Sequence, residues 1–134
     1  MSRQLIIETL NAAVYAALDG LPVDTFSENG PQPDFANQSR AFTLHEIAID
    51  ARSKVSLGHD GVKRFRGAIQ IGVFEKLGEG TSVTTQVFDA LDVALANRNI
   101  NGVVMGDSRM WPAARFDQWN PSGLQYLFTF DETD

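Results

Sequence analysis

Phe65-Arg66-Gly67-Ala68-Ile69-Gln70-Ile71-Gly72-Val73 is the stretch that decides the fold. Its odd positions, Phe65, Gly67, Ile69, Ile71 and Val73, alternate with Arg66, Ala68, Gln70 and Gly72, which is the two-residue period of a half-buried strand. Gly78-Glu79-Gly80 follows as a turn, and Thr81 or Ser82 can cap what comes next. Val83, Val87, Phe88, Leu91, Ala94 and Leu95 then form one helical stripe, with Thr84, Thr85, Gln86, Asp89 and Asp92 mostly facing away. This helix is predicted to end around 97–99. A strand feeding an amphipathic helix through a glycine turn implies a sheet with a helix laid across it.

Toward the N-terminus, Ile6, Leu10, Ala13, Val14, Ala17 and Leu18 recur at helical spacing, from a Ser2 cap to a Gly20-Leu21-Pro22 stop. A short strand is expected at 23–26, and a proline-rich exposed loop at 27–39. The segment 40–52 favours a strand, but Phe42 and Leu44 sit at even positions and Ile47 and Ile49 at odd ones. A bulge or break near His45-Glu46 would reconcile the two phases. Toward the C-terminus, Val103-Val104-Met105 begins a strand and 106–122 reads as an irregular aromatic segment. Leu124, Tyr126, Phe128 and Phe130 alternate in a last strand, and 131–134 reads as a solvated acidic tail. The predicted order is α-β-β-β-α-β-β. That makes an α+β fold, a mixed and mainly antiparallel sheet with two helices packed on one face.

The 134 residues fit one domain, and at this length a chain buries roughly two-thirds of its unfolded surface. Hydrophobic residues at 43% and charged residues at 21% exclude wholesale disorder. Eleven Lys and Arg against seventeen Asp and Glu give a net charge of -6, the wrong sign for a protein that coats DNA. No apolar run approaches the ~18–20 residues of a membrane helix. The opening Met1-Ser2-Arg3-Gln4-Leu5 lacks a secretory pattern, so folding in a cytoplasm is expected. Cysteine is absent, which removes disulfides, thiol chemistry and cysteine-held zinc.

Chemical motifs are sparse. The 78–82 turn opens a helix whose amides suit an anion, but it has neither the spacing nor the lysine of a P-loop, and Glu79 opposes a phosphate. His45 and His59 lie fourteen residues apart without a local metal-binding geometry. Asp89 and Asp92 share the polar side of a helix, better explained by solvation than by acid–base work. No Gly-x-Ser-x-Gly elbow occurs. No catalytic residue, metal ligand or cofactor is expected. Lys63, Arg64 and Arg66 form a small basic cluster, either a contact for an acidic partner or a strand edge protected by charge. Arg109, Trp111, Phe116 and Trp119 gather aromatic and arginine side chains of the kind interfaces use, although the rings equally suit one end of a core.

From Arg66 through Phe74, and on through Leu77-Gly78-Glu79-Gly80-Thr81, the chain resembles the tail terminator family of tailed bacteriophages, similar to minor tail protein U of lambdoid phages and to related phage domains. The shared pattern is an Arg-Gly strand, a Gly-x-Gly-Thr turn, an amphipathic helix and a two-strand finish; Glu75-Lys76-Leu77 stands where many relatives carry a proline. The resemblance covers nearly the whole chain. It implies a structural, non-enzymatic virion protein forming a homohexameric ring on the head-proximal end of the tail tube, assembled in the host cytoplasm. Its partners would be itself, the major tail tube protein and a head-completion or neck protein. DNA would pass through the lumen without specific binding, and no membrane is involved. On this view Trp111, Phe116 and Trp119 are apolar anchors and Arg109 pairs with a neighbour's carboxylate. Trp119→Asp would then block tail completion in a folded protomer, whereas unfolding would assign Trp119 to the core. The alternatives are a small ligand-binding or enzymatic domain with its site near the 78–82 turn and His45, or a related neck, head-completion or tube protein.

Overall fold

In the computed structural model, residues 3–28, 30, 38, 40–54, 62–76, 82–112 and 119–133 are described, with side chains omitted at 51–54, 62, 111, 112 and 133. The elements are α1 (Arg3–Leu18), β1 (Asp24–Ser27), β2 (Phe42–Lys54), β3 (Val62–Lys76), α2 (Ser82–Leu95), β4 (Asn99–Ile100), β5 (Val103–Pro112) and β6 (Trp119–Thr133). The strands form one sheet in the order β1-β2-β3-β6-β5-β4. The β1–β2 pair is parallel and every other pair is antiparallel. The α+β reading with two helices and a mainly antiparallel sheet therefore holds, with one short strand more than the sequence suggested.

That strand is β4. Asn101 and Gly102 take left-handed backbone angles, φ 53° and 95°, between the paired Ile100 and Val103. Two such residues make the tight turn that matches strand twist. The Gly102 amide donates to Asn99 Oδ1 at 2.8 Å and fixes the turn further. Gly20, at φ 83°, stops α1 as its position predicted.

The core lies between the sheet and the two helices. Ile6, Leu10, Val14 and Leu18 of α1, and Val87, Leu91 and Leu95 of α2, pack with the odd positions of β3 and the even positions of β6. Opposite residues such as Ile69 and Tyr126, or Ile71 and Leu124, share this face. Gly67 belongs to it for a steric reason. A Cβ there would fall 2.4 Å from the Phe128 ring and 2.3 Å from the Ala48 carbonyl, so the Arg-Gly pair of the motif is where Phe128 crosses β3.

The phase change in β2 has a different origin from the expected bulge near His45. The register with β3 runs unbroken from Phe42 to Ile49, and the irregularity comes at Asp50. Thr43, His45, Ile47 and Ile49 all face the helices. Phe42 faces the other way, into a second, smaller core: it stacks on Phe74 at 4.7 Å and meets Trp119 edge-on at 4.9 Å and Phe26 at 5.9 Å. Two cores on opposite faces, and not a slip of register, produce the mixed pattern. A comparable irregularity in β5 lies between Met105 and Ser108.

The expected irregular segment 106–122 is strand at both ends, since β5 runs to Pro112 and β6 starts at Trp119; residues 113–118 lie outside the described residues. The acidic end is not a free tail either. Strand β6 continues to Thr133, and Asp131 is bound by Arg64. Most of the proline-rich 27–39 segment lies outside the described residues.

Candidate interaction surface

The basic cluster is not at a sheet edge, because β3 pairs with β2 on one side and β6 on the other. Alternation divides it. Lys63 points to one face and is half-buried, while Arg64 and Arg66 point to the other. The Arg64 guanidinium is bidentate on Asp131, at 2.8 and 3.1 Å, and these hydrogen bonds hold the Asp131 carboxyl below the usual range. Arg66 stays exposed, and among the described residues it has no ion-pair partner.

The aromatic segment divides too. Trp119 is 0% exposed in the Phe42–Phe74 cluster, so it is an anchor inside its own protomer and not a surface anchor. Trp111 lies in β5 opposite Gly123, with its side chain outside the described residues, and Phe116 is outside them altogether. Arg109 is exposed opposite Gln125, on the same face as Arg66, and likewise lacks an ion-pair partner among the described residues.

Both sides of the sheet offer a groove near β5. On the side away from the helices, a depression of about 480 Å³ is lined by Asp50, Arg66, Val104, Gly106, Leu127 and Thr129. Val104 is 51% and Leu127 61% exposed, which is unusual for neighbouring apolar side chains on adjacent strands. On the helix side, α2 covers β3 and β6 but leaves much of β5 open. Phe88, Asp89 and Asp92 there face Ser108, Met110 and Leu124 across a groove of about 350 Å³, and Met110 is 69% exposed. Asp92 is not simply solvated, because the Tyr126 hydroxyl donates to its Oδ1. Burial first, and this acceptor second, push the Tyr126 phenol far above its ordinary pKa.

Two further buried polar groups have structural duties. Glu75 is buried at the end of β3, and its carboxylate accepts from the Val83 amide at 3.1 Å and the Thr84 hydroxyl at 2.7 Å. It therefore satisfies α2's first turn from outside the helix. His45 is 1% exposed. Its Nε2 donates to Asn11 Oδ1 at 2.8 Å, and the Tyr15 ring stands edge-on to it at 5.5 Å. Burial lowers its pKa to about 4; a polar contact with the Phe26 backbone opposes this in part, without giving Nδ1 a hydrogen bond. The 78–81 turn imagined beside it lies outside the described residues. Among the described residues no three metal-ligating side chains converge, and no helix is long and apolar enough to cross a membrane.

No protein-family model and no curated protein matches the chain. Solved structures do. One is the sheath/tube terminator of an extracellular contractile injection system, PVC, seen by cryo-EM in its extended state, with a TM-score of 0.55 at 13% identity. The chain has a terminator-like fold. The match takes in 100% of this chain but 57% of that one, so the chain spans a little over half of the injection-system protein. A second solved structure matches at a TM-score of 0.64 and 19% identity, covering 97% of this chain and 96% of that chain. At these identities the likeness to both structures is one of fold.

Proposed function

We propose that this protein is a tail terminator. Copies close into a ring, six in number, on the head-proximal end of the tail tube. The ring ends tube polymerisation and presents the surface on which a head-completion or neck protein docks. The observation that carries this is the fold match to a sheath/tube terminator over the whole of the chain. The Arg66–Gly80 motif, which resembles phage tail terminators, supports the same role from sequence. The work is done by binding and geometry, without catalysis or cofactor, in the virion's tail. The net charge of -6 suits a ring whose lumen passes DNA without holding it.

Adding the purified protein to its polymerising tube protein tests this. Capped tubes of limited length, with a six-fold ring at one end in negative stain, are expected. Tubes that grow unchanged, or that incorporate the protein along their length, would overturn the proposal.

A further inference from the structure

Two surfaces of the chain carry apolar side chains with charges of opposite sign beside them, and they lie on opposite sides of the same strand. The helix-free side of β5 and β6 presents Val104 and Leu127, with Arg66 and Arg109 around them. Neither arginine has an ion-pair partner among the described residues. The helix side of β5 presents Phe88 and Met110, rimmed by Asp89 and Asp92. Val93, one turn beyond Asp89 on α2, is 69% exposed and extends the apolar area.

We infer that these two surfaces are the halves of a head-to-tail contact between copies of this chain, Leu127 and Val104 of one copy seating against Met110 and Phe88 of the next. Arg109 then meets Asp89. The inference rests on the proposed ring, and it names the surfaces that close it.

Charge argues for a second copy as the occupant. The acidic rim on α2 calls for a partner with apolar side chains and a cation beside them, and the chain supplies Val104, Leu127 and Arg109 on its own far side. Acids are present on the helix-free side as well: Glu46 and Asp50 belong to β2, and Glu46 hydrogen-bonds with Glu28, raising the Glu28 pKa. Asp50 shares the depression with Arg66 of β3, and Asp131 of β6 is bound by Arg64, so the cation that β5 itself presents on this side is Arg109. Sheet position argues the same way. Among the described residues only the two-residue β4 lies beyond β5, so a neighbour can approach either side of β5 near the margin of the sheet. Two unlike patches on opposite sides of one protomer give a heterologous contact, the type that generates rings or filaments rather than two-fold dimers.

Exposed residues on both patches allow a test that does not disturb the core. Asp89→Arg and Arg109→Asp should each require roughly tenfold more protein for assembly, because like charges then face each other. The chain carrying both changes should assemble as the wild type does, since the pair is restored in reverse. Single variants that assemble normally, or a double variant as impaired as either single, would overturn the contact.

A covalent version removes dependence on affinity. The chain has no cysteine, and residues 110 and 127 lie on opposite sides of their own sheet, so they cannot bridge within one copy. On mild oxidation, the M110C/L127C chain should give a ladder ending in a closed oligomer, and either single variant should stay monomeric. A ring in the wild type without cross-linking would overturn this contact and leave ring closure standing. Cross-linked chains that run on without closing would support the contact and overturn the terminator. Neither ring nor cross-link would overturn both.

Discussion

His45 shows how one buried side chain couples the fold to pH. Held between Asn11 and Tyr15 with almost no exposure, it must stay neutral, and burial takes its pKa to about 4. In the unfolded chain the ordinary value is about 6.5, so below that the unfolded state binds a proton the folded state refuses. The stabilising contribution is complete above pH 6.5 and is lost as pH falls toward 4. A gap of this size corresponds to on the order of 3 kcal/mol. The His45 ring protons should not shift in an NMR titration until about pH 4, and His45→Gln should flatten the fall in melting temperature between pH 7 and 4. A ring that titrates near 6.5 would contradict it. Trp119 is the second such residue. Its complete burial against Phe42 reverses the expectation of a folded, assembly-defective Trp119→Asp protein. Trp119→Ala should cost about 3–5 kcal/mol in denaturant unfolding, and the aspartate should prevent folding. Both residues were visible as composition, a lone strand histidine and a clustered tryptophan. Their burial was not, because it depends on which element crosses above them.

At the scale of elements, α2 is held at both ends by polar contacts that no sequence period announces. Glu75 receives its first turn, and Tyr126 reaches Asp92 near its last. Glu75→Ala should cost about 1–3 kcal/mol, the range for leaving buried donors without an acceptor. It should also speed hydrogen exchange at the Val83 amide. Tyr126→Phe should leave that amide protected, which separates loss of the cap from general loosening of the helix. Both helices, β3 and β6 were legible because each buries one face, and that leaves a 3.6- or two-residue period. Strand β4 was missed although Asn101-Gly102 is a strong hairpin signal, because two flanking residues are too few to show alternation. The β2 pattern misled for the opposite reason: Phe42 and Ile47 are both covered, on opposite faces. Strand β5 hid its length because Met110 and Arg109 are both exposed and so show no alternation of burial.

For the molecule as a whole, what the sequence left open is what the uncovered surfaces meet, since exposed residues carry no period and the aromatic segment divides between core and surface. Leaving Val104, Leu127, Val93 and Met110 exposed costs a lone protomer solubility without contributing to its stability. A neighbour that covers them changes that balance by mass action: whatever binds only the folded chain raises the temperature at which it unfolds, more so at higher concentration. If copies meet through the two sides of β5, the melting temperature of the wild type should climb over a hundredfold range of protein concentration. Asp89 is exposed on α2, so the Asp89→Arg chain should melt at the dilute wild-type temperature and begin to climb only at roughly tenfold higher concentration. Restoring the opposed pair with Arg109→Asp should bring the climb back to the wild-type range. Scanning fluorimetry, read beside light scattering on the same samples, checks all three. A wild type whose melting temperature stays flat while scattering reports a ring would mean that the ring is closed by contacts that barely stabilise the fold. That result is incompatible with an interface built on these four apolar side chains, because burying them in a neighbour must draw the folded state down in free energy.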